Sequence, residues 1–225
     1  MIDILLIFPP LKIPIKYPAI ALPSLAAYLE NHNISVKLCD APVNELNEHQ
    51  IKRVIGETMP GVVGITFMTS QFGTAKIVAK MVKNISQSIP VIVGGVHASV
   101  LPEETLRTCD YFDYVVYGEG ELTLLEFMQQ YLADRLQPDT IKGLVYRNNG
   151  EIIKNAPREL ISDLDSLPMP AWHLLPVEKY MVSSPEERYS GVTGHGISIC
   201  TCRGCPYNCL FCASHSVFQG YRYRS

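Results

Sequence analysis

Runs of mostly apolar residues alternate with helical patterns along the first 136 residues of the chain. The apolar runs cover residues 2–8, 34–38, 62–67, 90–93 and 114–117. Such runs are typical of strands that are buried on both faces. Between and after them, apolar residues recur at helical spacing over residues 20–30, 46–57, 72–85, 102–107 and 121–132. The alternation predicts a doubly wound α/β domain whose five-stranded parallel sheet is covered by helices on both faces.

Ligands of doubly wound sheets bind outside the carboxyl ends of the strands, so the residues that follow each strand are candidate ligand contacts. The chain has neither a G-x-G-x-x-G motif after its first strand nor a G-x-x-x-x-G-K-[ST] motif, which argues against a dinucleotide or P-loop nucleotide site. The sequence therefore points to another small-molecule ligand at this edge. The residues that follow the strands are 8–10, 66–68, 94–97 and 118–119. The candidate contacts among them are Thr66, Met68, Gly94, Gly95, Val96, His97, Gly118 and Glu119.

Several of these candidates also have a structural interpretation. Paired glycines such as Gly94 and Gly95 let a bulky ligand approach the backbone, or they make a tight turn from a strand to a helix. His97 can contact the ligand or can be a hydrogen-bonded packing residue. Glu119 and Glu121 precede or begin a predicted helix, where a carboxylate is favoured by the helix dipole.

Two segments separate this domain from the carboxyl-terminal cysteines. Residues 142–154 place Asn149-Gly150 between two strand-like runs, which predicts a small β-hairpin appendage. Five prolines interrupt residues 157–185, which predicts a linker that wraps over a surface and is anchored by Trp172. The predicted organisation is a domain over residues 1–136, a hairpin and linker over 137–194 and the first part of a further domain over 195–225.

Composition excludes several classes of protein. The 225 residues are 47% hydrophobic and 18% charged, with a formal net charge of −3, which fits a globular domain. No apolar run reaches the roughly 18–20 residues that span a bilayer. No run of lysines and arginines offers a nucleic-acid surface. We expect a cytoplasmic protein with a small-molecule substrate, without a transmembrane segment and without a nucleic-acid partner.

Five of the seven cysteines lie within residues 200–212. Crowding of this kind favours thiolates gathered around a metal or cluster over a disulfide framework. Cys205, Cys209 and Cys212 have the spacing C-x3-C-x2-C, which can hold three irons of a cubane and leave the fourth open. Cys202 extends the spacing to four thiolates, which could bind zinc or all four irons. Unligated cysteines are a third alternative.

Residues 203–212 resemble the cluster loop of radical S-adenosylmethionine (radical SAM) enzymes, including the aromatic Phe211 before the third cysteine. Residues 63–66, 93–99, 102–104 and 117–123 resemble the cobalamin-binding (B12-binding) domain of one radical SAM subfamily, which includes methyltransferases and the anaerobic magnesium-protoporphyrin ester cyclase. The two resemblances together imply a flavodoxin-like cobalamin-binding domain, followed by the start of a radical SAM (β/α) barrel.

The resemblance also implies cofactors and their contacts. Cys205, Cys209 and Cys212 would ligate a [4Fe-4S] cluster, S-adenosylmethionine would bind its open iron, and Phe211 would lie beside the adenine. Thr66 and Met68 match an element beside the cobalamin tail, Gly94 and Gly95 match a double glycine, and the other candidates at the sheet edge would contact cobalamin. A reductase, ferredoxin or flavodoxin would supply the electron for S-adenosylmethionine cleavage, and the reaction would be a methyl transfer or a cyclisation.

Two departures from the family pattern shape these expectations. No aspartate is followed two positions later by histidine, so the Asp-x-His-x-x-Gly motif that ligates cobalt in many B12 domains is absent. The sequence continues for thirteen residues beyond Cys212, which leaves most of a barrel to further residues or to a second polypeptide. We therefore expect the parent family to be enzymes and these residues alone to be inactive.

Two other functions fit the same residues. One is a non-catalytic cobalamin-binding or interaction module whose cysteines are vestigial or bind zinc. The other is a radical SAM fragment whose first domain does not bind cobalamin.

Overall fold

A computed structural model describes residues 2–11, 18–182, 194–195, 197–207, 209–212, 214–217 and 220–225. Its centre is a seven-stranded sheet in the order β2-β1-β3-β4-β5-β6-β7. The first five strands are parallel, and β6 and β7 are antiparallel to their neighbours. The strands are β1 (Ile4–Phe8), β2 (Val36–Asp40), β3 (Val62–Thr66), β4 (Val91–Gly94), β5 (Tyr114–Val116), β6 (Leu144–Asn148) and β7 (Glu151–Lys154).

Helices cover both faces of the sheet, as the alternation predicts. They are α1 (Ala21–Glu30), α2 (Glu48–Thr58), α3 (Phe72–Ile85), α4 (Val96–Val100), α5 (Pro102–Arg107), α6 (Gly120–Leu132) and α7 (Ser214–Val217). Only α4 within the first domain was not predicted, because its five residues are too few to show a helical period. Two short antiparallel pairs follow the sheet: β8 (Met181–Val182) with β9 (Gly194–His195), and β10 (Cys202–Arg203) with β11 (Arg222–Tyr223). In the described part of the chain, no helix is long and apolar enough to cross a membrane.

The central strand β1 explains why the apolar runs are continuous. Ile4, Leu6 and Phe8 pack on the face that carries α1 and α6, and Leu5 and Ile7 pack on the opposite face with α2 and α3. All five side chains are buried. Neighbouring strands pair with β1 in matched register, with Ile4 opposite Val36 on one side and Val62 on the other. A strand with two buried faces has no position for an alternating polar residue.

The predicted hairpin is present, but it is not a separate appendage. Strand β6 pairs antiparallel with β5, so that Val115 lies opposite Val145. The hairpin therefore extends the parallel sheet at its edge, and Leu144 and Val145 are fully buried in the cores on the two faces. The apolar residues of β6 are explained by this burial.

The proline-rich segment is anchored by Tyr180 and not by Trp172. Tyr180 is fully buried and its hydroxyl donates a 2.6 Å hydrogen bond to the Asp40 carboxylate at the end of β2, whereas Trp172 stays partly exposed. Burial raises the pKa of Asp40, although the hydrogen bonds from Tyr180 and the Val43 N–H oppose this. The tyrosine is the better anchor because it satisfies a buried polar group while it fills apolar space.

The glycine pair makes the close junction between β3 and β4. Gly95 has φ +98° and ψ −172°, a conformation that is essentially restricted to glycine. A methyl group at this position would lie 2.7 Å from Thr66 Oγ1 and 2.8 Å from the Phe67 carbonyl oxygen. The Phe67 N–H donates to the Gly94 carbonyl in the same junction. The requirement for glycine at residue 95 is therefore conformational and steric.

We expect Tyr180→Phe to lower the free energy of unfolding by about 1–3 kcal/mol, because it leaves a buried carboxylate without its hydroxyl donor. Urea unfolding followed by circular dichroism measures this change. Tyr223→Phe is the control, since Tyr223 is 70% exposed and its loss should change stability by less than about 0.5 kcal/mol. Equal effects of the two substitutions on stability would contradict the role of Tyr180 as the anchor.

We expect Gly95→Ala to destabilise the fold by about 1–3 kcal/mol, since alanine is strained in this backbone region and its methyl group meets the backbone of Phe67. The matched control is Gly56→Ala in α2, where a methyl group meets nothing within 4 Å. In a helix interior, that change should stabilise the protein by about 0.5–1 kcal/mol. Urea unfolding of both variants gives the comparison, and a Gly95→Ala protein as stable as the wild type would contradict the interpretation.

Candidate functional site

A cavity of about 670 Å³ opens at the carboxyl ends of β1, β3, β4 and β5. Phe8, Thr66, Gly94 and Val116 mark the strand ends in its wall, and the amino-terminal turns of α1 and α6 close its sides. The carboxyl-terminal part of the chain also lines the cavity, through residues 200, 202, 203 and 204 and through Val217 of α7. The volume is within the range of roughly 300–1,000 Å³ that is usual for small-molecule sites.

Glycines keep this edge of the sheet open. Gly64, Gly94, Gly95, Gly118 and Gly120 all line the cavity. A methyl group at Gly118 would meet nothing within 4 Å, so the space beside it is free. A ligand could therefore lie directly against the backbone at the ends of β4 and β5.

The structure brings most of the predicted sheet-edge residues together. Seven of them line the cavity: Thr66, Met68, Gly94, Gly95, Val96, Gly118 and Glu119. Met68 and Val96 are 42% and 43% exposed at its mouth. The Ser99 hydroxyl accepts a 3.1 Å hydrogen bond from the Gly118 N–H and holds the two loops together.

The structure places His97 away from the cavity lining. Val96 and Ser99, three residues apart on α4, line the cavity, and the intervening His97 points to another side of the helix. Its ring stacks on Phe72 with a centroid distance of 4.7 Å, and its Nδ1 lies 3.0 Å from Thr69 Oγ1. Burial lowers the pKa of this histidine. The ring fits its packing interpretation, and a cofactor contact for it stays a prediction.

The predictions missed the contributions of α1, α6 and the carboxyl-terminal segment to the cavity. Ile20, Ser24 and Leu25 line it from the start of α1, and Leu124 lines it from α6. Their helical spacing predicts only that they face the sheet, since every apolar residue on that face has the same pattern. Which of them lie beyond the strand ends depends on the helix position, for which the sequence holds no local signal.

The Glu119 carboxylate is held by arginines from the carboxyl-terminal segment. Its Oε1 lies 3.0 Å from Arg203 Nη1 and 3.0 Å from Arg222 Nη2, and its Oε2 accepts hydrogen bonds from Arg222 Nη1 at 3.0 Å and from the Ile161 N–H at 2.8 Å. The second carboxylate, Glu121 Oε1, lies 2.5 Å from Arg203 Nη2. Both glutamate side chains are only 6% exposed.

Electrostatics keep Glu119 and Arg203 charged. Burial disfavours the carboxylate of Glu119, but hydrogen bonds from Arg222, from the Ile161 N–H and from Arg203 outweigh it and hold its pKa below the usual value. Burial likewise opposes the charge of Arg203, and Glu121 and Glu119 together raise its pKa. Two positive and two negative groups thus neutralise one another at the edge of the cavity.

The two arginines are brought together by the hairpin of β10 and β11. Arg203 lies directly opposite Arg222, and Cys202 lies opposite Tyr223. Gly204, which follows β10, has φ +84°, and a methyl group there would overlap the Gly220 carbonyl oxygen. The chain therefore turns from the arginine into the cysteine loop through a position that only glycine fits.

The three spaced cysteines follow this turn. Cys205 is partly buried, and Cys209 and Cys212 are exposed, as is Phe211, which does not line the cavity. The Cys212 N–H donates to the Cys209 carbonyl at 3.0 Å. A contact with Ser214 lowers the pKa of the Cys212 thiol. Among the residues that the structure describes, no three His, Cys, Asp or Glu side chains are close enough to hold a metal.

Proteins of known sequence match all or most of the chain. A protein of Pyrococcus horikoshii named as an uncharacterized methyltransferase is 38% identical over 231 residues, covering 100% of this chain and 48% of its own length. The anaerobic magnesium-protoporphyrin IX monomethyl ester cyclase of Rubrivivax gelatinosus is 28% identical over 207 residues, covering 89% of this chain and 35% of its own length. The chain thus spans about half or less of the curated relatives that it matches.

Solved structures share the fold. The cobalamin-dependent S-adenosylmethionine radical enzyme OxsB, solved with aqua-cobalamin and S-adenosylmethionine bound, superposes with a TM-score of 0.79 at 22% identity, covering 100% of this chain and 30% of that one. The doubly wound fold with its parallel sheet is therefore that of known cobalamin-dependent radical enzymes.

The family match covers the domain that builds the cavity. Residues 11–128, more than half of the chain, match the B12 binding domain family, and they include every predicted contact at the sheet edge. The chain belongs to the B12 binding domain family.

Proposed function

We propose that the chain binds cobalamin in the cavity at the carboxyl ends of β1, β3, β4 and β5, as part of a cobalamin-dependent radical SAM enzyme. The observation that carries this proposal is the glycine-lined cavity of about 670 Å³ within the B12 binding domain. The relatives and the OxsB structure support it, since their names describe methyltransferases, a cyclase and a cobalamin-dependent radical enzyme.

The residues present fit such a ligand. Leu6, Phe8 and Leu124 give the cavity an apolar interior, and the backbone of Gly94 and Gly118 offers a flat surface without side chains. Thr66, the last residue of β3, also lines the cavity and adds a hydroxyl group to its wall. When bound, cobalamin supplies a cobalt centre that can carry a methyl group, and the chain's own residues hold it and exclude water.

The cysteine loop is the second half of the proposal. Cys205, Cys209 and Cys212 would bind a [4Fe-4S] cluster, since their spacing provides three thiolates and leaves one iron for S-adenosylmethionine. Cys202 belongs to β10 and pairs with Tyr223, so it lies outside the loop that carries the other three. Cys202 and Gly204 line the cavity, so the loop that follows Gly204 begins beside it. Phe211, exposed on this loop, would lie beside the adenine.

The reaction class follows from these two cofactors. S-adenosylmethionine cleavage at the cluster, with an electron from a reductase, ferredoxin or flavodoxin, would serve a methyl transfer or cyclisation on a small-molecule substrate. The substrate site and the rest of a barrel would come from residues beyond those of this chain or from a second polypeptide.

We expect Val96→Trp to weaken the binding of hydroxocobalamin at least about tenfold, because the indole would occupy the cavity mouth. The matched control is Val100→Trp on the same helix, since Val100 is 39% exposed against 43% for Val96 and does not line the cavity. Equilibrium dialysis with absorbance detection gives both dissociation constants. Equal affinities of the two variants, or no binding by the wild-type chain, would contradict the site.

We expect Cys205→Ala, Cys209→Ala and Cys212→Ala each to abolish the uptake of about four irons per chain during anaerobic reconstitution with iron and sulfide. Cys200→Ala and Cys202→Ala are the controls and should retain the iron. Elemental analysis and the absorbance of the cluster measure the outcome. Loss of iron in Cys202→Ala would indicate four thiolate ligands, and zinc in place of iron would contradict the cluster.

A further inference from the structure

We propose that Glu119 is a positioning residue for the cysteine loop. With Glu121 it would hold the loop at the rim of the cavity through Arg203 and Arg222, so that one buried ion-pair network aligns the two cofactor sites. The link to cofactors rests on the proposed function, whereas the positioning of the loop can be tested without either cofactor.

The contacts of Glu119 come from three separate parts of the chain. Arg203 and Arg222 belong to β10 and β11, and the Ile161 N–H belongs to the proline-rich segment. These groups surround both carboxylate oxygens within 3.0 Å. Arg222 Nη1 also donates to the Ile161 carbonyl at 2.7 Å, which closes the network.

Glu119 and Glu121 belong to the part of the chain that is packed into the central sheet domain. Glu119 follows β5 of the central sheet, and Glu121 lies in the first turn of α6. This helix is fixed to the sheet by Leu124, Phe127 and Met128, which are buried in the core. The positions of the two carboxylates are therefore set by the fold of the B12 binding domain.

The ion-pair network lies close to the cysteine loop along the chain. Only Gly204 separates Arg203 from Cys205. A displacement of the arginine would therefore move the first cysteine and, through the same strand, Cys202 at the cavity wall.

The carboxylate of Glu119 is not used to cap α6. Glu119 occupies the N-cap position, but its side chain makes no capping hydrogen bond there. All of the contacts that the structure describes for it are with Arg203, Arg222 and Ile161. A substitution at this position thus tests the docking of the segment more than the stability of the helix.

Neutralising one carboxylate leaves its arginines buried without their counter-ion, which favours movement of the segment toward water. Glu119→Gln is the direct test because glutamine keeps the size of the side chain and one acceptor oxygen. The control is Glu126→Gln in α6, which breaks an ion pair with Arg158 and leaves the pairs with Arg203 and Arg222 in place. Arg203→Lys is a second variant that keeps the charge but loses the two-pronged contact with Glu119 and Glu121.

Hydrogen exchange of the full chain, followed by mass spectrometry, gives the first readout. In Glu119→Gln we expect at least about tenfold faster exchange in peptides that cover Cys202–Arg203 and Arg222–Tyr223, with unchanged exchange in β1 and β3. Arg203→Lys should show the same effect to a smaller extent, and Glu126→Gln should match the wild type in these peptides. Unchanged exchange in Glu119→Gln would overturn the proposal.

Pulsed electron paramagnetic resonance of the reconstituted chain gives the second readout. The distribution of distances between the reduced cluster and cob(II)alamin should have one narrow peak in the wild type and in Glu126→Gln. In Glu119→Gln the distribution should be broad. A narrow, unchanged distance in Glu119→Gln would overturn the alignment. If the wild type binds neither cofactor, the proposed function fails, and hydrogen exchange still decides whether Glu119 positions the loop.

Discussion

The buried ion pairs that Glu119 and Glu121 form with Arg203 and Arg222 are the interaction on which the arrangement of the site depends. The B12 binding domain alone provides the floor and sides of the cavity, and residues 200–204 have to be brought to it from the other end of the chain. Buried charges are costly unless they are paired, and here two carboxylates meet two guanidinium groups with short contacts. In this placement of the segment the two carboxylates meet Arg203 and Arg222, and a segment that moved away would leave Glu119 and Glu121 without these partners.

The parallel sheet determines where the cavity and the ion-pair network lie. Because β1, β3, β4 and β5 run in the same direction, their carboxyl ends meet at one edge, and the loops that follow them form one surface. Gly95 lets the ends of β3 and β4 approach each other, and Gly118 leaves free space beside β5. Glu119 is the next residue along the chain. The geometry that opens the cavity thus also places the carboxylate that holds the cysteine loop beside it.

Much of the fold could be predicted from the sequence because its signals are local. Helix α3 has the predicted ends, since its apolar residues have a regular period and Pro90 follows soon after it. The hairpin around Asn149-Gly150 was predicted from turn chemistry, but its addition to the main sheet was not, because pairing between β5 and β6 is a long-range contact. The choice of Trp172 as the anchor was wrong for the same reason: the partner of Tyr180 is Asp40, 140 positions away.

In the candidate site, too, local features could be predicted and long-range contacts could not. The seven sheet-edge residues that line the cavity could be predicted because a parallel sheet places all strand ends together. The position of His97 depends on the helical phase of α4, a helix too short to be predicted. Glu119 was expected to contact a cofactor or the helix dipole. It lines the cavity, where its carboxylate contacts two arginines that follow it by 84 and 103 positions, and a cofactor contact stays a prediction. Ion-pair partners at such separations leave no pattern in the sequence.

An anaerobic crystal structure of the chain with hydroxocobalamin tests the central claim most directly, because it locates the ligand and the cysteine loop in one experiment. The account predicts electron density for the corrin in the cavity between Gly94, Gly118 and residues 202–204, with Arg203 still paired to Glu119. Density for cobalamin on another surface, with the cavity closed or filled by side chains, would contradict it.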